Sequence, residues 1–197
     1  MRAVSVVSGR ILPLDRADVD TDQIMPKQFL KRIERTGFGE YLFHDWRRDP
    51  DFVLNDPRYT GAKVLVSGPN FGSGSSREHA PWGLQQYGFD AVVAPSFADI
   101  FRSNCAKVGL LTVELPGPTC KALALLATEQ PDELITIDLP AQEVRSALGT
   151  QRFDIDPHTK RMLVEGLDDI ALTLADEDAI TDFELARPAW LPLTPSR

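Results

Sequence analysis

Residues 63–87 have the sequence KVLVSGPNFGSGSSREHAPWGLQQY, in which a glycine-rich loop joins a short apolar run to a helical pattern. The run 63–66 has the length and β-branched content of a buried strand. Residues 81–87 have helical spacing and a proline suited to a first turn. The stretch therefore predicts a strand, a loop and a helix, with the loop opening at the N-terminus of that helix.

The loop combines flexible backbone with groups that bind anions. Glycines at positions 72 and 74 allow left-handed backbone angles and a close approach to a ligand. Amide groups at the start of a helix lack intrahelical partners and favour negative charge. Arg77 adds a planar, permanently charged fork that can hold a carboxylate through two parallel hydrogen bonds. These features predict a carboxylate or phosphate site.

The same residues also fit a purely structural interpretation. Ser75 and Glu78 have the spacing of a capping box, which stabilises a helix by about 1 kcal/mol. If Ser75 has another task, Ser76 is the better cap, with His79 at the third helical position. Spacing alone supports capping and ligand binding about equally. A cap, however, does not account for the glycines and the arginine beside it.

Three familiar glycine-loop motifs are absent from this stretch. A nucleotide-hydrolase phosphate loop needs a lysine where Ser75 stands, and the dinucleotide fingerprint needs a glycine where Arg77 stands. The hydrolase elbow needs a serine centred between two glycines. A serine triad stays open, although no pattern pairs Ser75 or Ser76 with any of the chain's three histidines, His44, His79 and His158. The motifs therefore disfavour a nucleotide ligand.

Composition disfavours several classes of ligand and cofactor. The 197 residues include 21 basic and 29 acidic ones, for a net charge of −8 without a long basic run, which disfavours binding to nucleic acid or to an anionic membrane. The two cysteines, Cys105 and Cys120, lack the spacing of a zinc or iron–sulfur site. We therefore expect this chain itself to bind no metal and no cofactor. Without an apolar span of membrane length, we also expect a cytoplasmic protein.

Strands and helices alternate along most of the chain. Apolar runs predict further strands over 90–94, 110–115 and 133–138, and helical patterns lie over 98–108 and 119–130. Alternation of this kind indicates an α/β fold with a mixed, partly parallel sheet flanked by helices.

The two ends of the chain have a different composition. Residues 1–60 are rich in proline, aspartate and aromatic residues and are predicted to form a loop-rich region packed on the sheet. Residues 187–197 are proline-rich and predict an extended tail. Because no linker separates these parts, we expect a single domain over 1–197.

A second polar cluster lies over 19–32 and contains Asp20, Asp22 and a basic pair. By itself this pattern favours a turn and a helix cap with a solvated helix beyond it. Alternatively, Asp22 orients a hydroxyl or an arginine from another loop.

Five blocks, in this order, resemble the small subunit of 3-isopropylmalate dehydratase. The resemblance spans nearly the whole chain, and the loop block is also similar to the swivelling C-terminal domain of aconitase. It implies a three-layer α/β domain of that type. The blocks are DTDQI at 20–24, RTGFG at 35–39, NFGSGSSREHAPW at 70–82, APSFADIF at 94–101 and GLDDIALTL at 166–174.

The resemblance implies a hydro-lyase of leucine biosynthesis that converts 2-isopropylmalate to 3-isopropylmalate by dehydration and rehydration. It also implies a partner, because in this family a separate large subunit supplies three cysteines that hold a four-iron, four-sulfur cluster. The small dicarboxylate substrate would bind between the two chains, and this chain would be inactive alone.

Carried over onto this sequence, the resemblance gives Ser75 the role of the base and Arg77 that of the carboxylate-binding arginine. A serine is a poor base unless its alkoxide is stabilised, which loop amides, a helix N-terminus and Arg77 can do in a water-excluded site. Substrate contacts are expected from several other residues. These are Gly72, Gly74, Ser76, Asp22 and, towards the isopropyl arm, Phe29, Leu30, Lys31 and Arg32.

Three other functions remain open from the sequence. A sister dehydratase acting on homoaconitate or on methylmalate-type acids would share the machinery and differ at the arm, where the pair Lys31 and Arg32 suits a carboxylate better than an isopropyl group. A non-catalytic interaction module gives no reason for Ser75 and Arg77 to converge on the same loop. A free-standing nucleotide-binding domain is disfavoured by the missing motifs.

Overall fold

The structure is a computed structural model, and it describes residues 1–31, 34–188 and 190. Its described strands form a seven-stranded sheet in the order β4-β3-β2-β1-β5-β6-β7. The strands are β1 (Val6–Pro13), β2 (Val64–Val66), β3 (Ala91–Ala94), β4 (Leu111–Glu114), β5 (Leu134–Asp138), β6 (Glu143–Ser146) and β7 (Gly149–Arg152).

The sheet has a parallel half and an antiparallel half that meet at β1. Strands β1 to β4 pair in parallel, with Val64 opposite Ile11 on one side and Ala91 on the other. Strand β5 pairs antiparallel with β1, and β6 and β7 continue in the same manner. The prediction of a mixed, partly parallel sheet is confirmed.

Helices connect the parallel strands and follow the sheet at the C-terminal end. The α-helices are α1 (Thr21–Ile24), α2 (His79–Tyr87), α3 (Asp99–Val108), α4 (Gly117–Glu129), α5 (Pro157–Glu165), α6 (Asp169–Ala175) and α7 (Glu177–Leu185). Short 3-10 turns lie between α1 and β2, at Lys27–Phe29, Phe38–Tyr41, Trp46–Arg48, Val53–Asn55 and Pro57–Tyr59.

The sheet separates two hydrophobic clusters, because successive side chains of a strand point to opposite faces. Leu65 belongs to a cluster that includes Phe101 of α3. Its neighbour Val64 belongs to the other cluster, which includes Leu123 of α4. The fold thus has a sheet between two helical layers, as expected.

The prediction that residues 1–60 are only loops and short elements is wrong at its start. Strand β1 is eight residues long and lies at the centre of the sheet. Its apolar pattern is interrupted at Ser8-Gly9-Arg10, which hides it in the sequence. Gly9 is required there, since a Cβ at this position would lie 2.5 Å from the Cβ of Lys63.

The helix cap predicted near Asp20 is present, but the solvated helix beyond it is not. The Asp20 carboxylate accepts a hydrogen bond from the Gln23 amide, and the Gln23 side chain accepts one from the Asp20 amide. The helix is only four residues long and ends at Ile24, since Pro26 disfavours helical angles in Met25, the residue before it. Thr21 and Ile24 are buried rather than solvated.

Among the helices that the structure describes, none combines the length and apolar character needed to span a bilayer. The tail predicted over 187–197 lies mostly outside the described residues. Trp190 is described, and its surface is 80% exposed.

Candidate active site

The loop between β2 and α2 lies beside the segments that follow β1 and β3. The Gly72 amide donates to the Val19 carbonyl over 2.7 Å, and the Phe71 amide donates to the Ser96 carbonyl over 3.1 Å. In the segment that follows β1, the Thr21 amide also donates to the Ser73 carbonyl over 2.9 Å. The loop is therefore held from both sides by main-chain hydrogen bonds.

Gly72 is the tightest point of the loop. Its φ is +78°, in the left-handed region, and an added Cβ would lie 2.1 Å from the Cγ atom of Phe101. Gly74 has a φ of +90°, with 3.4 Å between its added Cβ and the Cβ of Asp20. Only glycine fits at Gly72, where both conformation and space forbid a side chain.

Helix α2 begins at His79, later than a cap at Ser75 or Ser76 would place its start, so both capping interpretations are wrong. Its N-cap is Glu78, which has helical angles and makes no side-chain capping bond. Neither Ser75 nor Ser76 caps the helix. The physical reason is that the segment around Thr21 and Asp22 binds the loop beyond Gly74, which keeps the chain out of the helix until His79.

Thr21 fixes the backbone of Ser75. The Thr21 side chain is buried, and its hydroxyl donates to the Ser75 carbonyl over 2.8 Å. The Ser75 residue is itself exposed. A buried side chain therefore holds the main chain of the candidate base while the serine faces outwards.

Asp22 holds the guanidinium of Arg77 with two parallel hydrogen bonds. Arg77 donates from Nη1 to Oδ1, and from Nη2 to Oδ2 over 2.7 Å. The Arg77 side chain is 13% exposed, whereas that of Asp22 is 51% exposed. Hydrogen bonding from Arg77 lowers the pKa of Asp22 below its ordinary value, so the pair is charged at neutral pH. Within the described part of the chain, this pair occupies two of the five N–H donors of the guanidinium, and the other three can bind a ligand.

A cavity of about 280 Å³ lies between this loop and the start of α3. Helix α3 begins without a side-chain cap, so its first amides lack intrahelical partners and mark the positive end of the helix dipole. The loop opens directly onto the N-terminus of α2, as predicted, and the N-terminus of α3 also lines the cavity. The cavity is lined by Thr21, Gly72, Gly74, Ser75, Ser76, Arg77, Ala98, Asp99, Ile100 and Phe101.

Phe29, Leu30 and Lys31, three of the residues predicted to meet the isopropyl arm, are not among the described residues that line that cavity. The Phe29 ring stacks on Tyr41, with 4.2 Å between ring centroids, and meets His44 edge-on at 4.9 Å. Leu30 is half-buried against the same core, and Lys31 is exposed. Arg32 lies outside the described residues, and a role in specificity for this segment stays a prediction.

The histidine nearest the loop in sequence lies among aromatic rings. His79 contacts Trp82 and Phe38, at centroid distances of 4.8 and 5.1 Å. Burial lowers the pKa of His79, so its neutral form is favoured. These contacts give no support to a serine triad.

The thiols of Cys105 and Cys120 are buried. Burial raises the pKa of both, to about 11 for Cys120. Within the described ranges, no group of three or more His, Cys, Asp or Glu residues is arranged to hold a metal ion. An iron–sulfur cluster requires thiolate ligands, so the donor set described here does not fit one.

Two known protein families match different parts of this chain. Residues 1–118 match the model of the aconitase C-terminal domain, and residues 169–195 match that of the C-terminal domain of the 3-isopropylmalate dehydratase small subunit. The chain is thus an α/β domain of the aconitase C-terminal type.

Relatives along the whole chain define the family. A 3-isopropylmalate dehydratase small subunit from Parafrankia sp. (strain EAN1pec) is 56% identical over 98% of this chain and 100% of its own. The one from Frankia alni is also 56% identical, over 98% of each. A crystal structure of 3-isopropylmalate dehydratase from Methanocaldococcus jannaschii superposes with a TM-score of 0.63 at 25% identity, over 91% of this chain and 99% of the other. The chain belongs to the family of 3-isopropylmalate dehydratase small subunits.

Two parts of the site were not identified from the sequence. Thr21 lies in the DTDQI block, but no pattern in the sequence places its hydroxyl on the Ser75 carbonyl. The first turn of α3, Asp99 to Phe101, belongs to the APSFADIF block, and only the sheet topology brings it to the loop. The signal for α3 was its position directly after a parallel strand, where site residues often lie.

Proposed function

We propose that this chain is the small subunit of a hydro-lyase that interconverts 2-isopropylmalate and 3-isopropylmalate in leucine biosynthesis. The observation that carries the proposal is the convergence of Ser75 and Arg77 on one cavity at the start of α3. Relatives at 56% identity over 98% of the chain are named as small subunits of the enzyme with that activity.

In this proposal, Ser75 is the base that removes the proton from the substrate carbon. Its alkoxide would be stabilised by the uncapped amides of α3 and by the charge of Arg77. Thr21 fixes the Ser75 main chain, which would limit the rearrangement that the hydroxyl needs to reach the carbon. The exposure of Ser75 in this chain is consistent with a site that a partner closes.

We assign substrate binding to the residues around Ser75. Arg77 would bind a substrate carboxylate through the donors that Asp22 leaves free, and Asp22 would keep the guanidinium in its plane. Gly72, Gly74 and Ser76 line the same cavity and would contact the substrate directly.

The segment from Phe29 to Arg32 is our candidate for the region that recognises the isopropyl arm. Because the described part of this segment does not line the cavity, it would have to reach the substrate from the rim or after the partner binds. Exchange of the segment for that of a homoaconitase-type protein should change the relative rates on isopropylmalate and longer homologues. Unchanged relative rates would remove the assignment.

We further propose that the site is completed by a large subunit, which also holds the iron–sulfur cluster. Support comes from the donor set of this chain, in which the cysteines are buried and have raised pKa values. We also propose that the complex works in the cytoplasm.

The function is tested by reconstitution with the large subunit from the same organism. We expect turnover of isopropylmalate by the complex and none by either chain alone. In the complex, Ser75→Ala should reduce kcat at least about a thousand-fold, because the base is removed. Ser103→Ala, an exposed serine on the same side of the sheet, is the matched control and should retain normal kcat. Near-normal activity of Ser75→Ala in an intact complex would reject Ser75 as the base.

A further inference from the structure

Among the residues that the structure describes, none packs against helix α7 closely enough to bury any of its residues. Every one of its residues, Glu177–Leu185, is exposed. Its apolar side chains are exposed as well, 71% for Phe183 and 81% for Leu185. Isolated helices shorter than 12 to 15 residues are marginal in water and usually owe their stability to the packing of an apolar face.

Helix α6 exposes apolar side chains as well. Ile170 and Leu174 are four residues apart, which places them on one face of the helix. They are 72% and 58% exposed, and no residue of α6 is buried. Both consecutive helices therefore expose apolar side chains, Ile170 and Leu174 on α6 and Phe183 and Leu185 on α7.

The charged residues of this segment all have the same sign. Residues 168–185 contain seven acidic residues and no basic one. A second copy of this chain would bring the same acidic helices together in a two-fold contact, and like charges would oppose one another. The complementary partner has apolar pockets bordered by lysine or arginine.

The C-terminal helices are connected to the candidate active site through α3. The first turn of α3 lines the Ser75 cavity, and Lys107 in its last turn lies 3.6 Å from the Asp169 carboxylate of α6. At 1.5 Å per residue, these two points are about 12 Å apart along the helix axis. A partner that closes the Ser75 cavity can therefore reach α6 as well.

We infer that α6 and α7 dock the large subunit, which binds their apolar side chains in a groove with a basic rim. This inference rests on the proposed function for the identity of the partner. The match of residues 169–195 to a model described for the C-terminal domain of small subunits agrees with it, since the aconitase C-terminal match ends at residue 118.

The inference is tested by the affinity of the full-length chain for the large subunit from the same organism, measured by fluorescence anisotropy. We expect Ile170→Ser with Phe183→Ser to raise Kd at least ten-fold, because both side chains would leave the groove. The matched control is Leu125→Ser on α4, which removes an exposed leucine, 58% against 72% for Ile170 and 71% for Phe183, and should leave Kd unchanged. A wild-type Kd in the double variant would overturn the inference.

Two further measurements separate the other outcomes. Asp178→Lys with Asp182→Lys keeps the exposed apolar side chains and should slow association several-fold at low salt; an unchanged association rate would argue against a basic rim. Sedimentation of this chain alone tests a second copy as the occupant, and self-association that the double variant abolishes would overturn the inference. Because Kd is measured independently of turnover, a complex that binds tightly but does not convert isopropylmalate would reject the proposed function and leave the docking surface standing.

Discussion

The loop at Ser75 and the C-terminal helices differ in how far contacts within the chain hold them in place. Amides of the loop donate hydrogen bonds to the carbonyls of Val19 and Ser96, and the side chain of Thr21 fixes the Ser75 carbonyl. In contrast, no residue of α6 or α7 is buried, and Phe183 is 71% exposed.

The difference shows that two kinds of functional group in one subunit of a complex can be ordered in different ways. Groups that must hold a reactive geometry are ordered within the chain, because a misplacement of about 1 Å can cost about a hundred-fold in rate. Groups that only add binding energy can stay exposed until a partner covers them. Variants of the loop should therefore alter the isolated chain, and variants of α6 and α7 only the complex.

The largest effect on stability is expected from Gly72→Ala, which adds a side-chain atom at the most tightly packed position of the loop. The added Cβ would lie 2.1 Å from the Phe101 ring, at a φ of +78°. We expect the free energy of unfolding to fall by about 3 kcal/mol or more, from combined strain and overpacking, as measured by urea denaturation. The matched control is Gly149→Ala, at a φ of +103° with no atom within 4 Å of the added Cβ, where only the conformational cost of about 1 kcal/mol remains. Equal losses in the two variants would show that the contact with Phe101 is unimportant.

The sheet could be predicted from the sequence to the extent that its strands are continuously apolar. Strands β2 and β3 are buried on both faces and form clear apolar runs, as parallel strands do. Strand β1 was missed because Ser8-Gly9-Arg10 interrupts its pattern, although its pairing with β2 and β5 makes it the centre of the sheet. A strand whose polar residues are accommodated by its neighbours cannot be recognised from its own sequence.

A smaller effect is expected from Thr21→Val, which removes one hydroxyl and keeps the volume. Loss of the bond to the Ser75 carbonyl should lower the free energy of unfolding by about 1 kcal/mol. Because Ser75 is then less well positioned, kcat of the reconstituted complex should fall about ten-fold, with little change in KM.

Thr128→Val is the matched control for that hydroxyl. The Thr128 hydroxyl donates to the Ala124 carbonyl over 2.9 Å within α4, far from the loop in sequence. A smaller loss of stability is expected there, because Thr128 is exposed and water can replace its hydrogen bond, and kcat should not change. If Thr21→Val also leaves kcat unchanged, Thr21 has a structural role and no part in positioning Ser75.

The sequence was enough to predict the reactive residues of the site, but not the long-range contacts that hold them. Ser75 and Arg77 stand out because a serine and an arginine follow two glycines in one short loop. Both capping interpretations were wrong because capping preferences are local, whereas here contacts with Thr21 and Asp22, more than fifty residues away, decide where the helix begins. Long-range hydrogen bonds of this kind leave no periodic pattern in a sequence.

The smallest effect is expected from Asp22→Asn, and its pH dependence tests how the loop is held. The Arg77 hydrogen bonds lower the pKa of Asp22 from 3.8 in the folded chain, so the folded state binds the proton more weakly than the unfolded state. The stability that the pair contributes is therefore fully present above pH 3.8 and is lost as the pH falls through the lowered folded-state value.

At pH 7, Asp22→Asn should lower the free energy of unfolding by less than about 1 kcal/mol, because the Asp22 carboxylate is half exposed to solvent. The difference from the unmodified chain should shrink below pH 3.8, as urea denaturation at both pH values would show. Asp182→Asn on α7 is the control, since that side chain belongs to no described ion pair, and it should have no effect at either pH. If the two variants behave alike, Asp22 does not hold the loop, and the contrast between an internally ordered site and an exposed docking surface is weaker than the geometry indicates.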